Sequence, residues 1–511
     1  RWAGGFGIQK TDTLLMRKEP IYLSILALAI AAGHALPARE ETSGPAPQAG
    51  GRLSPLVVEA TEEDEAALSG EASAGGLLGT ARALREVPRG LTLLDEDVLE
   101  RFAIGSVRET TQLVPNIRGD AAEAYVNGQR RTANQFGFKP VYNGVERLEV
   151  VRGPGSPRQG PGFYSGGYVN QVLKLPELDR TGGSLEVRGG KAAADGSSHG
   201  AGFFRLDQSF VIEPGESALR IGYQAQEDAT RFEANGGRDD HQDLFVSGIW
   251  IPNERTTVEL YGEYLWQAAP QLLGVNRPSQ ELVDNGTYYT GDVPTDAATG
   301  DPFNPDGTTT IGRDDSLLST GDFSNANVLM GQVIVRTGAT DERQLVHKTL
   351  AEHVNRRRFH EFEYAEYVEQ FTFEHRSEAH LAWEAAGMAH ASVLGAALRY
   401  EYRESYVNYW NELFQNFDIS QGEPVHDAND YDVYIPGLEG PGGQQYFGPA
   451  TTPAASETTR SNLWNPGVFY EHRADVSEKW ILFFGLRGDA YFAHAEDPLP
   501  PPGTARLEDS A

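Results

Sequence analysis

From residue 181 onward, apolar and polar side chains alternate with a period of two in one long segment after another. In the segment 219–226, Leu219, Ile221 and Tyr223 lie on one face, and Arg220 and Gln224 lie on the other. The same alternation recurs at 258–266, 394–402 and 480–492. A period of two predicts β-strands with one apolar face. We expect about a dozen strands of about 10 residues, the length of a tilted strand that crosses a membrane.

The connections between these strands are asymmetric. Short turns at 214–216 and 252–254 alternate with long polar segments at 267–327 and 404–462. Aromatic side chains are placed at the strand ends, where a bilayer interface favours them. This pattern is typical of outer-membrane β-barrels, with the long loops on the extracellular side. A soluble sandwich or propeller is the alternative.

Composition excludes several classes of function. The formal net charge of −30 is unfavourable for nucleic-acid binding, because phosphate contacts need a basic surface. The chain has no cysteine, which excludes disulfides, cysteine metal sites and thiol catalysis. The sequence contains no nucleophile–base motif, P-loop or zinc-protease helix, and its histidines lack metal-site spacing. We therefore expect no enzyme, no resident cofactor and no metal site.

The N-terminal part predicts export and a flexible leader. Met16 is followed by two basic residues, an apolar run at 21–32 and the small residues Gly33 and Ala35, which together predict a signal peptide at 16–35. Residues 1–15 are then expected to be upstream of the native protein. The segment 36–79 is rich in small and acidic residues. Within it, Leu53–Thr61 is an apolar, extended patch that can add as a strand to a partner's sheet, although a plain linker is the alternative.

Residues 80–178 have a different pattern, and we interpret them as a small α/β domain. Helical spacing at 98–102 and 107–113 is followed by strand-and-turn patterns at 124–128 and 148–153, then by dense glycine up to Gly167. A barrel that holds such a domain needs a wide lumen, whereas a dozen strands close into a narrow one. The segment 182–511 is therefore expected to contain about half of a barrel.

A family resemblance rests on the end of this domain. The run Val145–Pro154 reads VERLEVVRGP, and Gly160, Gly162, Gly166, Gly167, Val169 and Asn170 follow it. It resembles the plug signature of TonB-dependent outer-membrane receptors of the siderophore-receptor type. The segments 117–120 and 126–131 are similar to earlier plug segments of that family, although the chain between Asn116 and Ile117 is shorter than usual. The resemblance implies a large antiparallel transmembrane β-barrel, of 22 strands in the family and about half of them here, with an N-terminal α/β plug.

The resemblance also assigns roles to individual residues. It makes the Leu53–Thr61 patch a TonB box, with the central residues Leu56, Val57, Val58, Glu59 and Ala60. The implied plug motif and plug–barrel contacts are Arg118, Gly119, Asp120, Arg152, Gly153, Pro154, Gly160, Gly166, Gly167 and Asn170. Arg118 and Arg152 are expected to pair with wall carboxylates, for which Glu374 and Glu401 lie on suitable inward faces. Ligand contacts are expected at the plug apex, near Asn134, Gln135 and Phe136.

The function implied is energised uptake across the bacterial outer membrane, with a ferric siderophore as the first expectation for the ligand. Its partners would be periplasmic TonB, outer-membrane lipid and the ligand itself. Cobalamin, haem or an oligosaccharide is the alternative ligand within the family. A passive porin, an adhesin or a soluble periplasmic β enzyme is the alternative outside it, and none of these needs a plug motif or a TonB box.

Overall fold

The computed structural model describes residues 90–102, 110, 114, 123–132, 140–153, 155–160, 167–194, 197–228, 238–270, 275–291, 305–312, 315–319, 322–340, 343–360, 365–408, 418–422, 457–477, 479–498 and 508–510. The predicted signal peptide and the predicted TonB box lie outside these residues. The described residues form a small sheet and a large sheet, which contact each other, and a short separate hairpin.

The small sheet belongs to the domain expected at 80–178, which we call the plug. Its strands are β1 (Gly90–Asp95), β2 (Glu123–Val126), β3 (Gln129–Arg130), β4 (Val145–Arg152) and β5 (Tyr168–Leu173), and helix α1 (Glu96–Arg101) follows β1. The strand order is β1-β4-β5-β2-β3, with β2 and β5 parallel and the other pairs antiparallel. The α/β plug expected from the sequence is therefore present.

Local chemistry explains two of these elements. Helix α1 begins where the Asp95 carboxylate accepts a hydrogen bond from the Val98 amide at 2.9 Å, and its first turn is acidic. Strands β2 and β3 are joined by Asn127 and Gly128, which have φ values of 45° and 82°. Two consecutive positive φ values make the tight turn that matches the twist of a hairpin. This turn is what brings the residues after Gly128 to the surface of the plug.

The large sheet contains thirteen described strands, and all its neighbouring strands are antiparallel. Their bounds are β6 Gly182–Ala194, β7 Ser197–Glu213, β8 Ser217–Asp228, β9 Asp240–Asn253, β10 Thr256–Ala268, β13 Phe323–Thr340, β14 Arg343–Phe359, β15 Ala365–Ala385, β16 Met388–Asn408, β17 Glu457–Ser477, β18 Trp480–Asp489, β19 Phe492–Glu496 and β20 Glu508–Ser510. Each strand of the sheet pairs with the next one along the chain, except that β18 and β19 do not pair with each other, so the sheet is a meander. Strands β18 and β19 both pair with β17 and lie end to end along it.

The strands are longer than expected. Strands β15, β16 and β17 have 21 residues each, about 70 Å when extended, so the expectation of about 10 residues is wrong for them. An apolar band of about 25 Å needs only part of that length, even when the strands are tilted. The long connections are correspondingly shorter than expected. The first spans 269–322 where 267–327 was expected, and the second spans 409–456 where 404–462 was expected.

The connection between β10 and β13 contains regular structure of its own. Helix α2 (Gln280–Asn285) precedes the hairpin of β11 (Thr287–Thr290) and β12 (Gly307–Thr310). The next long connection contains a short 3₁₀ helix, Ile419–Gln421, and the carboxylate of Asp418 accepts a hydrogen bond from the Gly291 amide at 2.9 Å. The two long connections are therefore in contact. Among the described residues, no helix is both long and apolar enough to cross a membrane.

One face of the large sheet is apolar and exposed. The outward side chains of β18 are typical, with Trp480, Leu482 and Leu486 exposed by 70%, 59% and 61%. The opposite face contacts the plug from β7 to β18. Ten strands spaced by 4.8 Å would span roughly 45 Å if flat, so a sheet that contacts one small domain with all of them must be curled around it. The amphipathic alternation is thus confirmed as an outer apolar face and an inner face that binds the plug.

The plug and the wall share one apolar core. Leu148, Val150 and Val169 of the plug pack in the same cluster as Phe245 of β9 and Ile334 of β13. A β-carbon on Gly144 would lie 2.3 Å from the Phe245 ring, so the plug backbone touches the wall there. The two parts therefore form one folded unit.

Gly167 is predicted to be needed for plug stability. Its φ is +105°, and a β-carbon there would lie 2.3 Å from the Val151 carbonyl oxygen. Gly153 has a similar φ of +98° but open space around it. Gly153→Ala should destabilise the plug by about 1–3 kcal/mol, which is the cost of backbone strain alone. Gly167→Ala carries the same strain and also a steric clash, so it should destabilise the plug by more. Limited proteolysis of the plug in the folded full-length protein measures this difference, and equal protection of the two variants would contradict it.

Candidate functional site: the seat of the plug in the barrel wall

A buried charge between plug and wall belongs to Arg131, the first residue after β3. Its Nη2 lies 2.7 Å from Glu263 Oε2 on β10 and 2.7 Å from Glu352 Oε1 on β14. Its Nη1 donates to the Gln171 side chain at 3.2 Å, within the plug. The next backbone amide, that of Thr132, donates to the second oxygen of Glu352 at 2.6 Å. One plug arginine thus bridges two wall strands.

Electrostatics keep this arginine charged. Burial by itself lowers the pKa of Arg131, but the charges of Glu263 and Glu352 and their hydrogen bonds raise it, and the net direction is upward. The guanidinium is therefore protonated at every pH at which the protein is folded. A buried pair of this kind is costly to break, because separation leaves uncompensated charges in a poorly solvated place.

Arg130 makes the second link. Its Nη2 lies 3.1 Å from Glu401 Oε1 on β16. Arg399, also on β16, donates through Nη1 to the backbone carbonyl of Arg130 at 2.7 Å and to Glu374 on β15 at 2.9 Å. Side chains from plug and wall therefore interleave in one charged network across β15 and β16.

A third link joins the plug segment 155–160 to the wall. The backbone amide of Arg158 donates to Glu471 on β17 at 3.1 Å, and the Nε of the Arg158 side chain lies 3.7 Å from Glu378 on β15. Arg376 of β15 donates to the Arg158 carbonyl at 2.9 Å and to the Gly128 carbonyl at 2.6 Å. Here the wall residue Arg376 donates to carbonyl oxygens of the plug backbone, whereas the plug residue Arg158 faces wall carboxylates.

Further polar contacts join the plug to β7, β9 and β13. Asn143 donates to Asp243 of β9 at 2.8 Å, and Asn127 donates to Gln332 of β13 at 2.8 Å. Lys174 lies 3.2 Å from Asp207 of β7, just before the chain enters β6. These contacts surround the shared apolar core.

The glycine-rich motif has a structural role in the described residues. Asn170 of β5 accepts a hydrogen bond from the Gly128 amide at 2.8 Å and donates to Glu149 at 2.9 Å, so it holds the β2–β3 turn. Gly160 has a φ of +87° and lies against the Arg487 guanidinium. Gly153 and Gly167 have the positive φ values given above. The motif therefore shapes the surface that carries Arg130 and Arg131.

Of the two predicted arginines, the structure describes only Arg152. Arg152 ends β4 beside Gly90, and no ion pair joins it to a carboxylate among the described residues. Glu374 and Glu401 do face the plug, but they meet Arg399, Arg130 and Gln129. The predicted residues Arg118, Gly119, Asp120, Pro154, Gly166, Asn134, Gln135 and Phe136 lie outside the described residues. The roles expected of them and of the TonB box stay predictions.

Sequence reasoning missed Arg130, Arg131 and Arg158. The available signal was the pair of arginines one residue after an Asn-Gly turn, since a tight hairpin presents its following residues at the end of a sheet. The inward carboxylates could be predicted from the sequence, because every second residue of a strand points to the same face of the sheet. Their pairing with particular arginines could not be found, because it depends on how the plug is rotated within the barrel.

The site is suited to holding and releasing a domain. Its groups are permanent ion pairs and backbone hydrogen bonds between two parts of one chain. In the part of the chain that the structure describes, no group of three or more histidine, aspartate or glutamate side chains is arranged to hold a metal ion. What the geometry provides is a specific, polar seat for the plug.

Arg131→Ala is predicted to loosen the plug while leaving the barrel folded. Removing one member of a buried ion pair costs about 3–5 kcal/mol, and Arg131→Lys should recover only part of this because lysine lacks the planar fork. The measurement is urea-induced loss of plug protection from protease in the full-length protein, together with leakage of a large antibiotic into cells. Arg152→Ala is the matched control and should behave like the unmodified protein. An Arg131→Ala variant with unchanged urea sensitivity would contradict the assignment.

Comparison with known proteins gives structural matches only. No protein-family model and no curated protein matches the sequence. The ferric-catecholate import receptor Fiu of Escherichia coli K12, in its open form, matches with a TM-score of 0.63 at 12% identity, over 84% of this chain and 66% of that one. The siderophore receptor PiuA of Acinetobacter baumannii matches with a TM-score of 0.62 at 15% identity, over 86% and 62%.

A third match is the ferripyoverdine receptor of the outer membrane of Pseudomonas aeruginosa, bound to ferripyoverdine. Its TM-score is 0.59 at 12% identity, over 86% of this chain and 55% of that one. The chain thus spans less than two thirds of the length of each of these structures. The matched fold confirms the fold class expected from the sequence. The chain has the plug-and-barrel fold of TonB-dependent siderophore receptors, with part of the barrel wall.

Proposed function

We propose that the protein is an outer-membrane receptor that imports a ferric siderophore with energy supplied by TonB. The observation that carries this proposal is the seat of Arg131 between Glu263 and Glu352. A passive porin does not need a domain that is held in its lumen by buried ion pairs. A receptor that must stay closed until energy arrives needs such a seat.

The energetics of the seat support an energised mechanism. Removing one partner of a buried ion pair costs about 3–5 kcal/mol, and the ion pairs of Arg130, Arg131 and Arg158 all join plug and wall. Thermal fluctuation would rarely break all of them together. An external pull on the plug is therefore required, and the predicted TonB box at Leu53–Thr61 is the part of the chain that we propose for this purpose.

The choice of ligand rests on the structural matches. Their names describe receptors for ferric catecholates, ferripyoverdine and other siderophores, which favours a ferric siderophore for this chain. Cobalamin, haem and oligosaccharides are the alternatives for the same fold. All three matched structures are named as receptors, and no feature of the described residues favours an enzyme.

The proposed location can be tested on the full-length protein. It should fractionate with the outer membrane and migrate faster on unheated than on heated detergent gels, because a folded barrel resists detergent. The physical reason is that all backbone groups of a membrane-spanning barrel are paired within the protein. Recovery of the unheated protein from the soluble periplasmic fraction would contradict the proposal.

Val57→Pro in the full-length protein is predicted to abolish uptake and to leave binding at the cell surface unchanged. Proline removes a backbone N–H that strand addition to a partner needs. Val57→Ala keeps that N–H and is the matched control. The measurement is uptake and surface binding of ⁵⁵Fe supplied as a tris-catecholate complex, as ferric citrate or as ferripyoverdine. Uptake at the unmodified rate by Val57→Pro would mean that this segment is a linker.

A further inference from the structure

The contacts between plug and wall differ in chemistry from one described sector of the barrel to the other. Against β9 to β14 the plug buries apolar side chains in addition to its polar contacts there, which include the ion pairs of Arg131 with Glu263 and Glu352. Tyr142, Val145 and Leu148 of the plug join one cluster with wall residues on these strands, namely Phe245, Tyr261, Met330, Ile334, Val346 and Leu350. A second cluster joins plug residue Val141 to Leu265 and Val354 of the same strands. We call this contact the apolar side.

Against β15 to β18 the described contacts are polar, and we call this contact the polar side. Three wall arginines donate to carbonyl oxygens of the plug backbone. Arg376 binds Gly128 and Arg158 at 2.6 and 2.9 Å, Arg399 binds Arg130 at 2.7 Å, and Arg487 binds Pro157 at 3.1 Å. Arg130 and Arg158 of the plug face Glu401 and Glu378 in return. None of the described apolar clusters bridges plug and wall on this side.

A small cavity lies within the polar side. It has a volume of about 20 Å³, which is room for one water molecule, and five arginines are among its lining residues. The lining residues that matter are Arg130, Arg158, Arg376, Arg399, Arg487 and Glu374. There is therefore room for water within this contact.

We propose that the plug separates from the wall on the polar side, along β15 to β18, and stays attached on the apolar side. This inference rests on the proposed function, because it names the route that an imported ligand takes. Where the cavity admits water, the polar contacts around it can be exchanged for water one at a time, since each donor and acceptor finds a new partner as it opens. The apolar core gains nothing from water and resists separation over its whole area. The passage that opens is then lined by guanidinium and carboxylate groups, which suits a hydrophilic ligand.

Two engineered disulfides can hold one side at a time, and the chain has no cysteine of its own to interfere. Pro157→Cys with Gly485→Cys crosses the polar side, because a β-carbon on Gly485 of β18 would lie 2.7 Å from the Pro157 ring. Asn143→Cys with Gly222→Cys is the matched pair beside the apolar side, because a β-carbon on Gly222 of β8 would lie 3.3 Å from the Asn143 amide. Each variant is compared with itself in the oxidised and the reduced form.

The primary readout does not depend on any ligand. Full-length protein in a planar bilayer is exposed to urea in KCl solution, and the ion conductance that follows plug displacement is recorded. The oxidised polar-side variant should lose this conductance and regain it on reduction. The oxidised apolar-side variant should keep it. Loss of conductance in both oxidised variants, in neither, or in the apolar-side variant alone would overturn the proposal.

Uptake of the three ⁵⁵Fe complexes named above is measured in parallel. If the unmodified protein imports none of them, the proposed function fails while the conductance result still decides the route. If the unmodified protein imports one, the oxidised polar-side variant should lose that import and the oxidised apolar-side variant should retain it. Surface binding should be equal in all forms, since neither disulfide lies in the long connections. A polar-side variant that imports equally well when oxidised would overturn the route.

Discussion

The structure depends on the pairing of Arg131 with Glu263 and Glu352. A guanidinium that is almost fully buried needs its partners within hydrogen-bond distance, and here those partners come from two strands that are not adjacent in sequence. The plug can therefore occupy only the rotation in which both carboxylates meet the same arginine. Apolar packing alone would allow several rotations of nearly equal energy, because it is non-directional. The charged network selects one of them.

The amphipathic strands make this arrangement possible. One face of each strand is apolar and exposed, as for Leu482 and Leu486, and the other face carries the groups that bind the plug, as for Arg487. Successive side chains of a strand point to opposite faces, so a single alternating pattern specifies both surfaces. The same parity places Glu374, Arg376 and Glu378 on one face of β15. The wall of the site is thus a direct consequence of the pattern that predicts the strands.

The sequence pattern was sufficient to predict membrane β-strands from residue 181 onward and a small α/β domain before them, because each depends on local pattern. Strands β2, β4 and β5 lie where the turn and glycine signals placed them, and Glu374 and Glu401 face inward as parity predicts. The strand lengths were underestimated, because polar residues such as those near Glu404 and Arg460 continue the strands beyond the apolar band. The pairing of Arg130 and Arg131 could not be predicted, because it depends on the placement of the plug in three dimensions. The family resemblance directed attention to Arg152, which has no ion-pair partner among the described residues.

The contacts between plug and wall are reciprocal, and this has a consequence for release. Plug arginines bind wall carboxylates, and wall arginines bind plug carbonyl oxygens. The carbonyl acceptors of Gly128 and Arg130 are placed only while the β2–β3 hairpin is folded. A pull that distorts this hairpin therefore removes the acceptors of Arg376 and Arg399 before any whole-domain movement is needed. Each wall arginine keeps a carboxylate on its own side, Glu378 for Arg376 and Glu374 for Arg399, so the wall stays satisfied after the plug backbone has left. On β15 and β16 the wall can thus release the hairpin while Arg376 and Arg399 keep their own carboxylates, whereas Glu263 and Glu352 lose Arg131 when it leaves, so the cost of release is concentrated in the Arg131 ion pairs.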